Sequence, residues 1–245
     1  MSFLKNLGEK LIDTKDPIHQ SVKQLSIDEL KKTPSRTEVI NFLLGKIEGK
    51  TTYLEIGVRN PDDNFNHINA TSKYSVDPGV EFESNPVDFK MTSDEFFTAL
   101  RNGEVLKDVK FDIIFVDGLH LADQVDRDIQ NSLEFINTDG YVLLHDCNPL
   151  SVWHAREFYN YKLSPAGGHW NGTTWKAFAK ARQRSDLSSC CLDTDWGIGI
   201  ITQSKTLGKP NQVENPYYEY FVLEENRKET LNLMSFEEFK LLLKQ

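Results

Sequence analysis

Two short apolar runs dominate the pattern of this chain: Phe111-Asp-Ile-Ile-Phe-Val-Asp117 and Gly140-Tyr-Val-Leu-Leu-His145-Asp146. Neither alternates polar with apolar residues, so both read as central strands of a parallel sheet covered on both faces. Two further strands are predicted upstream, over 51–57 and 73–77, with a weaker third segment over 87–91. Between them lie helical patterns. Segment 92–100 starts at a Thr92 or Ser93 cap with Asp94 and Glu95 in its first turn, and 123–136 places Val125, Ile129, Leu133 and Ile136 on one face. Strands alternating with helices predict an α/β fold.

The flanks differ in texture. Phe3, Leu4, Leu7, Leu11 and Ile12 recur at helical spacing, and helices are expected over 26–32, after a break at Pro17, and over 36–46. Residues 1–49 therefore read as a helical cap, able to line the substrate pocket or a contact between subunits, and 50–203 as the core. After Asp146 an aromatic-rich and Gly-rich stretch leads to a helix over 173–182. Two strands follow, over 187–194 and 196–202, joined by a turn at Thr194-Asp195. An antiparallel pair there would close one edge of the sheet. Residues 204–245 form a polar tail that ends in a helix from about Ser235.

Charge narrows the partners. The formal net charge is −9 and no dense Lys/Arg stripe occurs, which argues against nucleic acid and anionic membrane surfaces. No apolar run reaches membrane-spanning length, and the first sixteen residues lack the apolar core of a signal peptide. The three cysteines, Cys147, Cys190 and Cys191, form neither a CxxC pair nor an even set. That usage fits a reducing cytoplasm better than a disulfide framework or a thiolate zinc site.

Candidate chemistry lies where the strands end. Open parallel sheets bind ligands beyond their carboxyl ends. Asp117, His120, His145, Asp146 and Asn148 are thus expected to converge on one cleft, with Glu55 and Gly57 closing the first strand. Asp77 follows Gly57 by twenty residues, the spacing of an acidic residue that binds ribose hydroxyls. The loop 59–67 carries no G-x-G-x-x-G, so a pyrophosphate cradle is not supported and a nucleoside without phosphates is favoured.

Leu54-Glu55-Ile56-Gly57, Ser75-Val76-Asp77-Pro78, Phe115-Val116-Asp117-Gly118-Leu119-His120 and Leu144-His145-Asp146-Cys147-Asn148-Pro149 occur in this order. Together they resemble class I S-adenosylmethionine-dependent methyltransferases, and more narrowly a bacterial family linked to glycan and capsule biosynthesis. The resemblance spans about 50–203. It implies a Rossmann-like, mostly parallel seven-stranded sheet with an antiparallel last strand. It also implies that Glu55 and Gly57 line the methionine end of the cofactor, that Asp77 holds its ribose, that Ser93 and Asp94 lie near its adenine, and that Asp117 contacts it. Metal-dependent relatives place a metal-binding Asp at the end of the fourth strand, a basic residue three positions on, and two ligands after the fifth strand. Asp117 and His120 match that spacing. Asp146, His145 and Asn148 stand at the second position, His145 departing from the acidic or amide pair usual there.

The expected reaction is O-methylation of a sugar hydroxyl in a glycan or its precursor, with Asp117, Asp146 and His120 as catalytic residues. A divalent cation such as Mg²⁺ would acidify the hydroxyl and an imidazole would take its proton. Milder roles stay open for each residue. Asp117 can cap the following helix, and His120 can bond a backbone carbonyl. His145 and Asp146 would point to opposite faces of a regular strand, and Asn148 can be a turn residue. Two other functions also remain: a metal-independent small-molecule methyltransferase, and a non-catalytic binding module with the same fold.

Overall fold

Strands β1 (Thr52–Ile56), β2 (Ser72–Val76), β3 (Phe111–Val116) and β4 (Ile136–Leu144) are parallel and neighbour one another in the order β2-β1-β3-β4. Beyond β4 the sheet continues through β6 (Ile198–Thr202), β5 (Ser188–Leu192) and β7 (Leu233–Met234). β6 runs against its neighbours β4 and β5, and β7 is parallel to β5. This computed structural model describes residues 8, 15–81, 86–161 and 163–244. The architecture is the α/β, Rossmann-like, mostly parallel seven-stranded sheet expected from the sequence.

The reversed strand is β6, the last strand of the core in chain order, as expected, and it lies between β4 and β5. Two details differ from expectation. β7 from the polar tail, not the antiparallel pair, forms the outermost strand. The weak segment over 87–91 makes a single bridge from Val76 to Phe89. There the Asp88 carboxylate accepts the Ser75 N–H at 2.9 Å, the donor that a longer ladder would have used.

Eight helices are described: α1 (Pro17–Glu29), α2 (Arg36–Leu44), α3 (Ser93–Arg101), α4 (Ala122–Phe135), α5 (Thr174–Ala181), α6 (Tyr220–Glu225), α7 (Arg227–Leu231) and α8 (Phe236–Leu242). Pro17 does not break the chain. It opens α1 at the first turn, where its missing N–H costs nothing, behind the Asp16 cap. Ser35 caps α2 in a reciprocal box with Glu38, and Thr92 does the same for α3 with Glu95. The amphipathic segment expected within 1–12 lies outside the described residues.

Strand alternation splits the core between two faces. Leu54, Ile56, Ile114, Val116, Val142 and Leu144 pack against Phe96 and Phe97 of α3, Val125 and Ile129 of α4, and Trp175 and Phe178 of α5. Tyr53, Ile113, Phe115, Tyr141 and Leu143 pack against Val39, Ile40 and Leu43 of α2 and Phe239 of α8. Glu55 shares the Tyr53 parity and so belongs to the α2 face. Among the described residues no helix is long and apolar enough to cross a membrane.

Candidate active site and cation triad

The register of the sheet aligns the strand ends. Ile56 pairs with Val76 and Val116, and Val116 pairs with Leu144. The next residues, Asp77, Gly57, Asp117 and His145, therefore stand in one row at the carboxyl edge. Backbone bonds extend the ladder by that one step: Gly57 N to Val76 O at 2.8 Å, Asp117 N to Ile56 O at 2.8 Å and His145 N to Val116 O at 3.1 Å.

Gly57 permits this closeness. It has φ +91°, and a Cβ there would lie 2.2 Å from the Asp117 carbonyl oxygen. Asp77 Oδ1 accepts the Gly79 N–H at 2.6 Å, shaping the turn after β2. Ser93, the first residue of α3, is buried and accepts a hydrogen bond from Gln124, while Asp94 is half-buried and pairs with Arg127 at 3.2 Å.

Asp117, His120 and Asp146 each turn one ligand atom toward the others, all within 4.8 Å. His120 Nδ1 is 3.0 Å from Asp146 Oδ2 and 3.1 Å from the Trp170 carbonyl oxygen, and its Nε2 is 3.5 Å from Asp117 Oδ1. The Trp170 ring stacks on the imidazole at 5.1 Å. Gly172, at φ +60°, lets that segment touch His120, since a Cβ would lie 2.1 Å from the His120 carbonyl oxygen.

His145 and Asp146 both enter the cluster, against the strand alternation expected for them. The reason is local: β4 stops at Leu144, and Asp146 adopts φ +60°. That left-handed turn brings Asp146 Oδ2 to 3.1 Å from His145 Nδ1. A non-glycine residue held there stores strain of the kind that collects at functional sites. Asn148 does not join the expected ligands. Its Oδ1 accepts from Arg227 at 2.6 Å and its Nδ2 donates to Asp193 at 3.2 Å, so both ends of its amide are engaged by residues other than the triad.

Three participants carried no sequence signal. Arg36, at the start of α2, brings Nη1 to 2.9 Å from His145 Nε2 and 3.6 Å from Asp117 Oδ2. Asp195, read from sequence as a turn residue, accepts the Arg36 N–H at 2.7 Å and lies 3.1 Å from His145 Nε2. Three successive left-handed residues, Asp195, Trp196 and Gly197, fold this turn back so that Trp196 O and Gly197 O accept from Asn148 and Cys147. Asn171 donates to Asp146 Oδ1 at 2.8 Å, and its own Oδ1 is buried without a hydrogen-bond partner among the described residues.

The charges are strongly coupled. Burial would raise the Asp117 carboxyl, but His145, His120 and Arg36 hold it well below the usual carboxylate range. Burial would lower His120, but Asp146 and Asp117 raise it to about 9. Without a cation, the stabilisation from this histidine is complete below its unfolded pKa, near 6.5, and is lost as pH rises through about 9. Burial likewise opposes, and Asp117 and Asp146 outweigh it, in raising His145.

Glu55 behaves differently. Burial pushes its pKa up to about 7, against hydrogen bonds from Tyr53 at 2.6 Å and Asn64 at 2.9 Å. Its folded pKa exceeds its unfolded one, so its ionisation costs stability as pH rises from about 4.5 through 7. Above that window the cost is on the order of 3 kcal/mol. Glu55→Gln is expected to be more stable than wild type at pH 8 and to lose that advantage near pH 5. Urea denaturation at the two pH values checks this, and an advantage independent of pH would contradict the assignment.

The donor set fits a divalent cation. Two carboxylates and an imidazole with ligand atoms within 4.8 Å of one another suit a hard or borderline ion. For the nucleoside cofactor, Gly57 and Asp77 occupy adjoining positions in the strand-end row.

Residues 64–147 match a family described as a methyltransferase domain. The matched segment contains Asp77, Ser93, Asp94, Asp117, His120, His145 and Asp146. No curated protein matches the chain. Solved structures similar in fold include the Bacillus cereus O-methyltransferase in complex with SAH, at 15% identity over 80% of this chain and 96% of that one, TM-score 0.41. They also include the O-methyltransferase TomG from Streptomyces achromogenes, in complex with SAM and involved in tomaymycin synthesis, at 10% identity over 82% and 96%, TM-score 0.44. A third is the SAH-bound Podospora anserina methyltransferase PaMTH1, at 12% identity over 82% and 95%, TM-score 0.46.

Proposed function

We propose that the protein is an S-adenosylmethionine-dependent O-methyltransferase acting on a sugar hydroxyl of a glycan or its precursor, with a divalent cation held by Asp117, His120 and Asp146. The observation that carries this reading is the strand-end row. Gly57 stands between Asp77 and Asp117, and Asp117 belongs to the cation triad, so one edge of the sheet carries both a nucleoside position and an oxygen-activating position. The methyltransferase-domain match over 64–147 supports the same chemistry.

When bound, the cation would act as a Lewis acid that acidifies the acceptor hydroxyl. The chain's own residues do the remaining work. Trp170 and its carbonyl fix the His120 ring, Asn171 fixes the Asp146 carboxylate, and Gly57 and Gly172 let the backbones close around them. In this reading His120 is a ligand rather than a base. His145 Nδ1 bridges Asp117 and Asp146, at 3.1 Å from each, and Asp195 orients the ring from Nε2. The sugar assignment rests on the aromatic faces near the triad: Trp170 over His120, and half-exposed Tyr159 tilted against Trp170 at 5.5 Å. Such faces take the apolar side of a pyranose while neighbouring polar groups take its hydroxyls. The net charge of −9 favours a saccharide over a nucleic acid.

Calorimetry with S-adenosylhomocysteine is the test. Binding at micromolar concentration is expected, and no binding up to millimolar concentration would remove the enzyme reading and leave the binding module. The cation has its own check. Methyl transfer should fall by at least about a hundredfold after chelation and dialysis and return with Mn²⁺ or Mg²⁺. Transfer that survives chelation would favour the metal-independent enzyme.

A further inference from the structure

The guanidinium of Arg36 is only half engaged. Nη1 meets His145 and Asp117, whereas Nε and Nη2 make no hydrogen bond among the described residues. Neither of these atoms is buried, although the side chain is only 23% exposed. The residue is also fixed in place. Its backbone N–H donates to Asp195, and Ser35 caps the helix that it starts. A held guanidinium with a free Nε–Nη2 edge is a ready-made bidentate site for a carboxylate.

Its surroundings say which carboxylate. Nη1 lies 3.6 Å from Asp117, whose backbone closes on Gly57, and the Glu55 charge acts on the guanidinium as well. Arg36 therefore spans the end of β1 and the triad, on the face that Glu55 shares. A cation and two carboxylates this close suit a zwitterion, with the guanidinium for its carboxylate and Asp117 or Glu55 for its ammonium. The acceptor hydroxyl belongs farther along the row, at Asp146 and His120. Resting on the methyltransferase reading above, we propose that Arg36 binds the α-carboxylate of the cofactor's methionine end. The helical cap would then complete the cofactor site that the sheet begins.

The test compares three ligands by calorimetry: S-adenosylhomocysteine, its decarboxylated analogue S-adenosyl-3-thiopropylamine, and 5′-methylthioadenosine, which lacks the amino-acid end. Arg36→Ala should weaken S-adenosylhomocysteine by about 10- to 100-fold, the loss of a charge-assisted pair, and leave 5′-methylthioadenosine within about twofold. In wild type the decarboxylated analogue should carry a similar loss, and Arg36→Ala should add little to it, because both changes remove one interaction. Arg36→Lys should recover part of the affinity, keeping the charge without the fork. Losses that simply add, or a variant that weakens only the acceptor's KM, would overturn the proposal. If Arg36→Ala does not fold, 5′-methylthioadenosine binding is lost too. The wild-type comparison then decides, and equal affinity for the two longer ligands would overturn the proposal. Failure of wild type to bind any of the three would instead refute the methyltransferase reading itself.

Discussion

Asp146→Asn is expected to lower methyl transfer by about three orders of magnitude while leaving S-adenosylhomocysteine affinity within a few-fold of wild type. The substitution keeps size and shape but removes one charge from the triad. Asp146 Oδ1 accepts from Asn171 at 2.8 Å, so the new amide oxygen would stay there. The amide nitrogen would then replace the oxygen that now lies 3.0 Å from His120 Nδ1 and 3.1 Å from His145 Nδ1. A donor would face two imidazole donors, and the carboxylate that would ligate a cation would be gone. Mn²⁺ affinity should fall by at least about tenfold, since even outer partners of a metal site are worth that much. Initial rates and Mn²⁺ calorimetry check the two arms, and unchanged Mn²⁺ affinity would refute the triad.

Gly57→Ala is expected to destabilise the protein by about 3 kcal/mol, combining a left-handed backbone penalty with displacement of packed backbone. The φ of +91° accounts for the first term. The second follows from the Cβ position, 2.2 Å from the Asp117 carbonyl oxygen and 2.4 Å from Gly118 Cα. For a chain of this length that corresponds to a Tm lower by roughly 10 °C. Because the displaced backbone carries Asp117, cofactor and Mn²⁺ affinities should fall together. Gly49→Ala is the control. Its φ is +88°, but a Cβ there meets nothing within 4 Å, so only the backbone penalty of about 1 kcal/mol should remain. Equal losses in the two variants, read by thermal unfolding, would show that the β1–β3 approach is not tight.

Local pattern made much of this fold legible. β1 and β3 end within one residue of their expected limits, because buried β-branched and aromatic runs leave little choice. The helix expected over 123–136 forms as Ala122–Phe135, its apolar stripe facing the core. The misjudged elements depended on competing contacts. Asp88 took the Ser75 N–H and reduced a third strand to a bridge, and Pro17 proved to be a helix start because Asp16 caps it. The candidate site divides in the same way. Asp117, His120 and Asp146 were legible because a parallel strand must deliver its terminal residues to one edge. The partners of Asn148 were not, because its amide meets Arg227, a residue 79 positions later in the chain.

By itself the sequence determined the α/β class, the strands that form the sheet's centre and the edge at which their acidic ends gather. Periodicity and the direction of parallel strands dictate those without reference to distant residues. Only the tertiary structure decided that Arg36 from the cap and Asp195 from a hairpin turn close around His145, and that Asp146 turns left-handed to meet His120. Those contacts join segments up to 159 residues apart, and no local pattern encodes which charged groups long-range packing brings within 4 Å.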